Sequence, residues 1–349
     1  MNKIKNISTV ILITLSFTGL FLNFDSNAEY EIQPQQMNNE EKDIVEKIEK
    51  VDPQQPKKNK FKRKSGKIID NSLLLNKEFY SSDKKVNFIK DNSNIEIGTP
   101  IEIKNNNISV QEDKIIYEST NNTVDLTLEN IDGGIRQVIV IHDKNQPNRY
   151  TFPIKTADNQ KFVKNNDESV QLIDSNKNTI IHILKPWARD KNNKELQTYY
   201  EVEKTQIVQY INLENAEFPV TADPLFCGEV ASSVSWNKRD YYDKNGRWSL
   251  TIVPTWCGIN VSGPTPWASW QEIYNKAPYH PAWAYPQSYG TDTYWSMYNQ
   301  YICHTDWKAL NHLFDRKNPW NGKLEYNIEP WRKNVGYWEF VKVGCNGDL

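Results

Sequence analysis

No cysteine precedes Cys227, and no apolar run after Phe24 is long enough to cross a membrane. Net charge is nearly absent too: 42 Lys and Arg face 44 Asp and Glu, leaving a formal charge of −2. A chain this balanced has no bulk electrostatic attraction for nucleic acid. Apolar residues make up only 38% of 349, which is lean for one large core and favours modest domains joined by polar segments. There is no C-x-x-C pair and no paired-histidine spacing. We therefore expect no metal and no cofactor.

The N-terminus does carry an apolar stretch. Lys3 and Lys5 precede the run Val10 to Phe24, and Ser26-Asn27-Ala28 follows it. This is the charged, apolar and small-residue order of a secretory signal peptide, shorter than the roughly 20 residues a spanning helix requires. The expectation is cleavage after Ala28 and a secreted protein, extracellular or cell-surface associated, with no membrane contact once cleaved. Four cysteines in an exported chain then imply two disulfides, although their spacing allows three connectivities.

Residues 29–67 are polar. Ile44, Val45, Ile48 and Val51 recur at helical spacing, and a basic run from Lys57 to Lys67 follows Pro53 and Pro56. A lone amphipathic helix has nothing within its own segment to pack on, and like-charge runs are usually solvated, so this stretch is expected to be a disordered, basic linker with one short helix. Between residues 68 and 224, short segments rich in Ile, Val, Thr and Tyr alternate with turns such as Asp132-Gly133-Gly134 and Asp174-Ser175-Asn176. That spacing predicts an all-β sandwich-like domain. His142 and His182 sit among apolar strand residues, where structural roles are expected.

Eleven of the twelve tryptophans and all four cysteines fall in residues 225–349. Large aromatics give a small stapled domain much buried area per residue, and those left exposed offer flat surfaces for sugar rings or interfaces. A strand is expected over Trp248 to Val253. A helix from Pro266, capped by Thr265, should bury Trp267, Trp270, Ile273 and Tyr274 on one face. A second helix should follow Asp292, with Trp295, Tyr298 and Ile302 on one face and Met297, Tyr301 and His304 on the next. A final strand is expected over Gly336 to Val343. The fold class is thus α+β overall, an all-β sandwich-like middle domain followed by a disulfide-stabilised, Trp-rich α+β module.

Two resemblances accompany these readings. Pro186-Trp187-Ala188-Arg189-Asp190 and Phe218 to Pro224 make residues 132–224 similar to a β-rich carrier domain of secreted Gram-positive proteins. Met297 to His304, then Tyr326-Asn327-Ile328-Glu329-Pro330-Trp331-Arg332, then Cys345-Asn346 resemble the family known as domain of unknown function 2599, with its M-x-x-Q-x-x-C-H, W-N-L-E-P-W-R-P and C-N-P pattern. Tyr326, Lys333 and Gly347 depart from that pattern. The second resemblance implies a Cys303–Cys345 bridge, which leaves Cys227 with Cys257. It implies secretion and brings no activity.

Polar residues that could do chemistry are Glu272, Gln300, His304, Asp306, Glu329 and Arg332. Glu272 with Glu329 would suit glycoside cleavage if within about 5–10 Å of each other, and His304 with Glu329 would suit acid–base hydrolysis. The catalytic candidates are therefore Glu272, His304, Glu329 and Arg332. Gln300, Trp331, Trp320 and Trp283 are the binding candidates. Two functions are open: a binding module for a cell-wall glycan or an extracellular protein, and a secreted hydrolase or toxin-like effector.

Overall fold

The computed structural model describes residues 30–31, 36–64, 67–71, 76–80, 85–90, 93–100, 105–119, 123–239, 247–263, 265–283, 292–314, 325–343 and 345. The expected signal peptide lies outside them.

Antiparallel strands build two large sheets. The first runs, in spatial order, Tyr30–Glu31, Lys62–Lys64, Lys67–Asn71, Asn76–Tyr80, Lys85–Lys90, Ser93–Gly98, Arg149–Lys155, Gln206–Ile211 and Thr198–Glu203. The second runs Lys161–Lys164, Val170–Ile173, Thr179–Ile183, Leu225–Cys227, Gly134–Ile141, Val124–Ile131, Lys114–Ser119 and Asn105–Val110; Val220–Asp223 pairs with Gly134–Ile141, and Trp187–Arg189 pairs with Val220–Asp223. Phe88, Ile95, Ile97, Tyr150 and Phe152 of the first meet Ile115, Leu126, Ile139, Ile141 and Phe226 of the second in one core. Alternating apolar positions thus find each other across a sandwich, as the sequence pattern predicts.

The hairpin joining Val124–Ile131 to Gly134–Ile141 turns on Asp132-Gly133, where Gly133 has φ +87°, a conformation that glycine adopts freely. Its second strand is buried along its whole length. One face looks into the sandwich, and the other carries Val138 and Val140 against helix α1 (Asn39–Val51).

The one short helix expected in residues 29–67 is present as α1, but it is packed on the sheet and does not lie in a disordered linker. Asn38 and Glu41 form a reciprocal capping box, and Asn38 Nδ2 also donates to Glu118 on the sheet at 2.9 Å. Ile44 and Ile48 are buried against Ile116, Val138 and Val140. The basic run is likewise tied down. Lys57 pairs with Asp132 at 3.0 Å, Lys58 with Glu129 at 2.7 Å and Lys60 with Glu112 at 2.9 Å, while Phe61 is buried in the sandwich core. The compensating acids lie more than fifty residues downstream, so the run looks solvated only when considered locally.

The C-terminal part adds a three-stranded sheet, Ala231–Arg239, Arg247–Pro254 and Tyr326–Ile328, and helices α2 (Trp256–Ser262), α3 (Pro266–Lys276), α4 (Thr293–Phe314) and α5 (Tyr337–Lys342). Both disulfides form, Cys227–Cys257 and Cys303–Cys345. The chain is α+β overall. The expected strand over residues 336–343 is helix α5 instead. Its β-branched and aromatic residues have strand propensity, but only Phe340 of the helix is buried, against Cys303 and Cys345, and a single inward position suits one helical turn.

The sandwich and this module share a seam. Ile131, Leu184 and Leu225 of the sandwich pack in one cluster with Trp256, Val261, Trp270 and Ile328. The Trp256 backbone N–H donates to Asp132 at 3.2 Å, and a side chain at Gly258 would collide with the Val230 backbone.

Candidate functional site

Gln300, on α4, is completely buried. Its Nε2 donates to the Glu329 carbonyl at 2.9 Å, and its Oε1 accepts from the Glu329 N–H at 2.9 Å. One carboxamide therefore satisfies both backbone groups of the residue just past the strand Tyr326–Ile328. The Glu329 carboxylate accepts from Arg332 Nε at 2.5 Å, and Ser296 Oγ donates to the Arg332 carbonyl at 2.8 Å. The Arg332 and Arg247 guanidinium groups lie 4.9 and 4.7 Å from the Trp331 ring centroid. The motif residues Gln300, Glu329, Trp331 and Arg332 are thus brought together as a latch between α4 and the small sheet.

His304 stacks on Tyr326 at 5.4 Å, and Asp306 accepts from the Tyr337 hydroxyl at 2.6 Å. Trp283 sits edge-on to Trp236 and Tyr274. Trp320 lies outside the described residues.

Glu272, on α3, belongs to a different place, the seam. Its Oε2 accepts from Lys90 Nζ at 2.8 Å and its Oε1 from the Val230 N–H at 3.1 Å. Burial opposes ionisation, but the charges of Lys90 and Lys276 outweigh it and hold the carboxyl below its usual range. A carboxylate so held is ionised at neutral pH and has no proton to give as a general acid.

His182 lies alongside, with Nδ1 3.2 Å from Thr265 Oγ1. Burial depresses it to about 4; Glu272 pulls it up and Lys90 pushes it further down. Because the unfolded chain takes up the proton near 6.5 and the folded one only near 4, stability falls as pH drops through that window. The expected loss is about 3 kcal/mol. Asp223, which burial raises well above 3.8, works in the opposite sense, so the check is the difference in urea stability between the native protein and His182→Gln across the window. The two curves should converge on acidification, and parallel curves would contradict the assignment.

One group of the module's tryptophans is arranged by α3 and α4. Trp270 is wholly buried, ringed by Trp283, Tyr294, Tyr298 and Tyr301 with centroids 5.5–6.3 Å away. On the outer side Trp267 stacks on Trp295 at 5.5 Å with 26° between planes, and the two are 44% and 43% exposed. Tyr274 is 41% exposed. The expected single buried face of α3 is therefore split: Trp270 and Ile273 go inward, while Trp267 and Tyr274 flank a solvent-facing aromatic surface. A cleft of about 380 Å³ opens beside Trp267, between α3 and the sandwich, lined among others by Gln171, Lys177, Asn178, Gln271 and Asn275.

The segment that carries both motifs also matches a known family model. Residues 231–348 match the model of DUF2599, a protein of unknown function. The DUF2599 segment begins at the first strand of the small sheet and includes the platform, the latch and the Cys303–Cys345 bridge. No curated protein matches the chain. Among solved structures, a glycoside hydrolase family 81 protein from Clostridium thermocellum is 6% identical, covering 54% of this chain and 28% of that one, with a TM-score of 0.19. A likeness at that score carries no argument.

The platform residues Trp267 and Trp295 are absent from the binding candidates that the sequence suggests. The signal that finds them is register: on α3, Trp267 flanks, rather than shares, the stripe defined by Trp270 and Ile273, and Trp295 meets it from α4.

Proposed function

We propose that the DUF2599 module is a binding unit of an exported protein, presented by the β-sandwich, and that it takes the flat rings of an extracellular glycan such as a cell-wall polymer. The observation that carries this reading is the exposed stacked pair Trp267 and Trp295. Indoles held rigid by neighbouring aromatics lose little conformational entropy on binding and offer apolar faces suited to sugar rings. The carboxamides of the adjoining cleft add hydrogen-bonding groups suited to hydroxyls. Glu272 and Glu329, the carboxylates that glycoside cleavage would need, each already hold a basic partner. Export is supported by the signal-peptide pattern and by two closed disulfides, which persist in oxidising compartments.

The test uses the full oxidised chain and purified cell wall. Trp267→Ala and Trp295→Ala should each weaken retention by about tenfold or more, the scale of an aromatic hot spot. Retention unchanged in both, or soluble sugar released by the native protein, would overturn the reading. Protein recovered from culture medium should begin at Glu29; recovery only with the cell membrane would contradict export.

A further inference from the structure

Lys77 lies in the strand Asn76–Tyr80 of the first sheet with almost no exposure, and its side chain crosses to the second. Its Nζ donates to Asn130 Oδ1 at 2.6 Å and to the Ile131 and Gly134 carbonyls at 3.0 and 3.1 Å. Asp70, directly opposite on the neighbouring strand, places Oδ2 2.7 Å from the same nitrogen. Asn130 is wholly buried, and its Nδ2 has no hydrogen-bond partner among the described residues. Turning the carboxamide over would aim that N–H₂ at an ammonium, so its orientation is fixed by Lys77.

Three conditions for amide exchange therefore coincide. A lysine nitrogen is held against a carboxamide carbonyl, a carboxylate stands ready to take its proton, and the amide nitrogen that would leave has nothing to lose by leaving. The two backbone carbonyls fix Nζ in place.

We propose that Lys77 and Asn130 are joined by an intramolecular amide bond that the sandwich forms on itself, with Asp70 as proton carrier. Asp70 takes one proton from the Lys77 ammonium. The freed Nζ lone pair attacks Asn130 Cγ, forming the new C–N bond. A second proton passes from Nζ through Asp70 to Nδ2, the Cγ–Nδ2 bond breaks, and its electron pair departs with neutral ammonia. Lys77 keeps one hydrogen as the new amide N–H, and Asp70 ends protonated, so no unpaired charge is left in the core. The bond would join the two sheets, closing a segment whose ends are 53 positions apart, and unlike the disulfides it would be indifferent to reductant.

Mass spectrometry of the denatured full chain tests this directly. The expected mass falls below the sequence value, after allowance for both disulfides, by one ammonia. Digestion after reduction should give one branched peptide whose fragments locate the link at Lys77 and Asn130. Asp70→Ala and Lys77→Arg should each restore the missing ammonia and yield separate linear peptides. A native chain at full sequence mass, or one lacking ammonia but giving no branched peptide, would overturn the proposal. Because the native chain is measured on its own, the outcome stands even if a variant does not fold.

Discussion

Replacing Arg136 with methionine is expected to cost about 3–5 kcal/mol of stability, the range for removing one partner of a buried ion cluster. The guanidinium is fully buried, with Nη2 2.8 Å from Asp52 and 2.5 Å from Glu129 and Nε 2.7 Å from Glu129. Asp52 caps the end of helix α1 and Glu129 sits in the strand beside Arg136, so one side chain ties the helix to the sheet it covers. Burial pushes the Glu129 carboxyl up, but Arg136 and Lys58 overcome it and bring it down to about 2. A carboxyl held below its unfolded value of 4.5 lends stability that is complete above that pH and lost as the pH falls toward 2. Urea melts of Arg136→Met should show the full deficit near neutral pH and a smaller one in acid. A variant within about 1 kcal/mol of the native protein at neutral pH would show that the cluster is not held by this residue.

Trp270→Ala is the second large effect, expected at about 3–5 kcal/mol for a large buried aromatic cut to a methyl group. Trp270 is a centre of the module core and packs on Tyr294 and Tyr298, the rings against which Trp267 and Trp295 both rest. The substitution should therefore weaken glycan retention even under conditions where the chain stays folded, since the platform loses its support. Loss of stability with retention intact would separate platform from core and count against the proposed binding surface.

The sandwich was legible because its signals are local: two-residue periodicity, and turn residues such as Asp132-Gly133 that require one hairpin geometry. The module's helices were legible for the same reason, Pro266 at the start of α3 and the aromatic spacing along α4. What was not legible depended on distant partners. Helix α1 reads as a solitary amphipathic segment because the surface it covers, Ile116, Val138 and Val140, comes much later in the chain. Residues 337–342 read as a strand because their propensity is real, and only the position of Phe340 against the Cys303–Cys345 bridge selects the helix. The motif residues were recognisable as a group. Their role was not: Gln300 reads as a ligand-binding carboxamide, and only the backbone of Glu329 shows what it holds.

The boundary at residue 225 is similarly a property of the sequence more than of the packing. Composition changes sharply there, yet Ile131, Leu184 and Leu225 share the module's cluster, and Lys90 supplies the countercharge for Glu272. A fragment starting at residue 225 would lose the first two contacts and leave Glu272 without Lys90.

The bridge between Cys227 and Cys257 spans the end of the sandwich and the start of α2. A peptidase that cuts the backbone at any single point between those two positions divides the polypeptide without separating its two parts. The two pieces stay covalently one molecule until a reductant arrives.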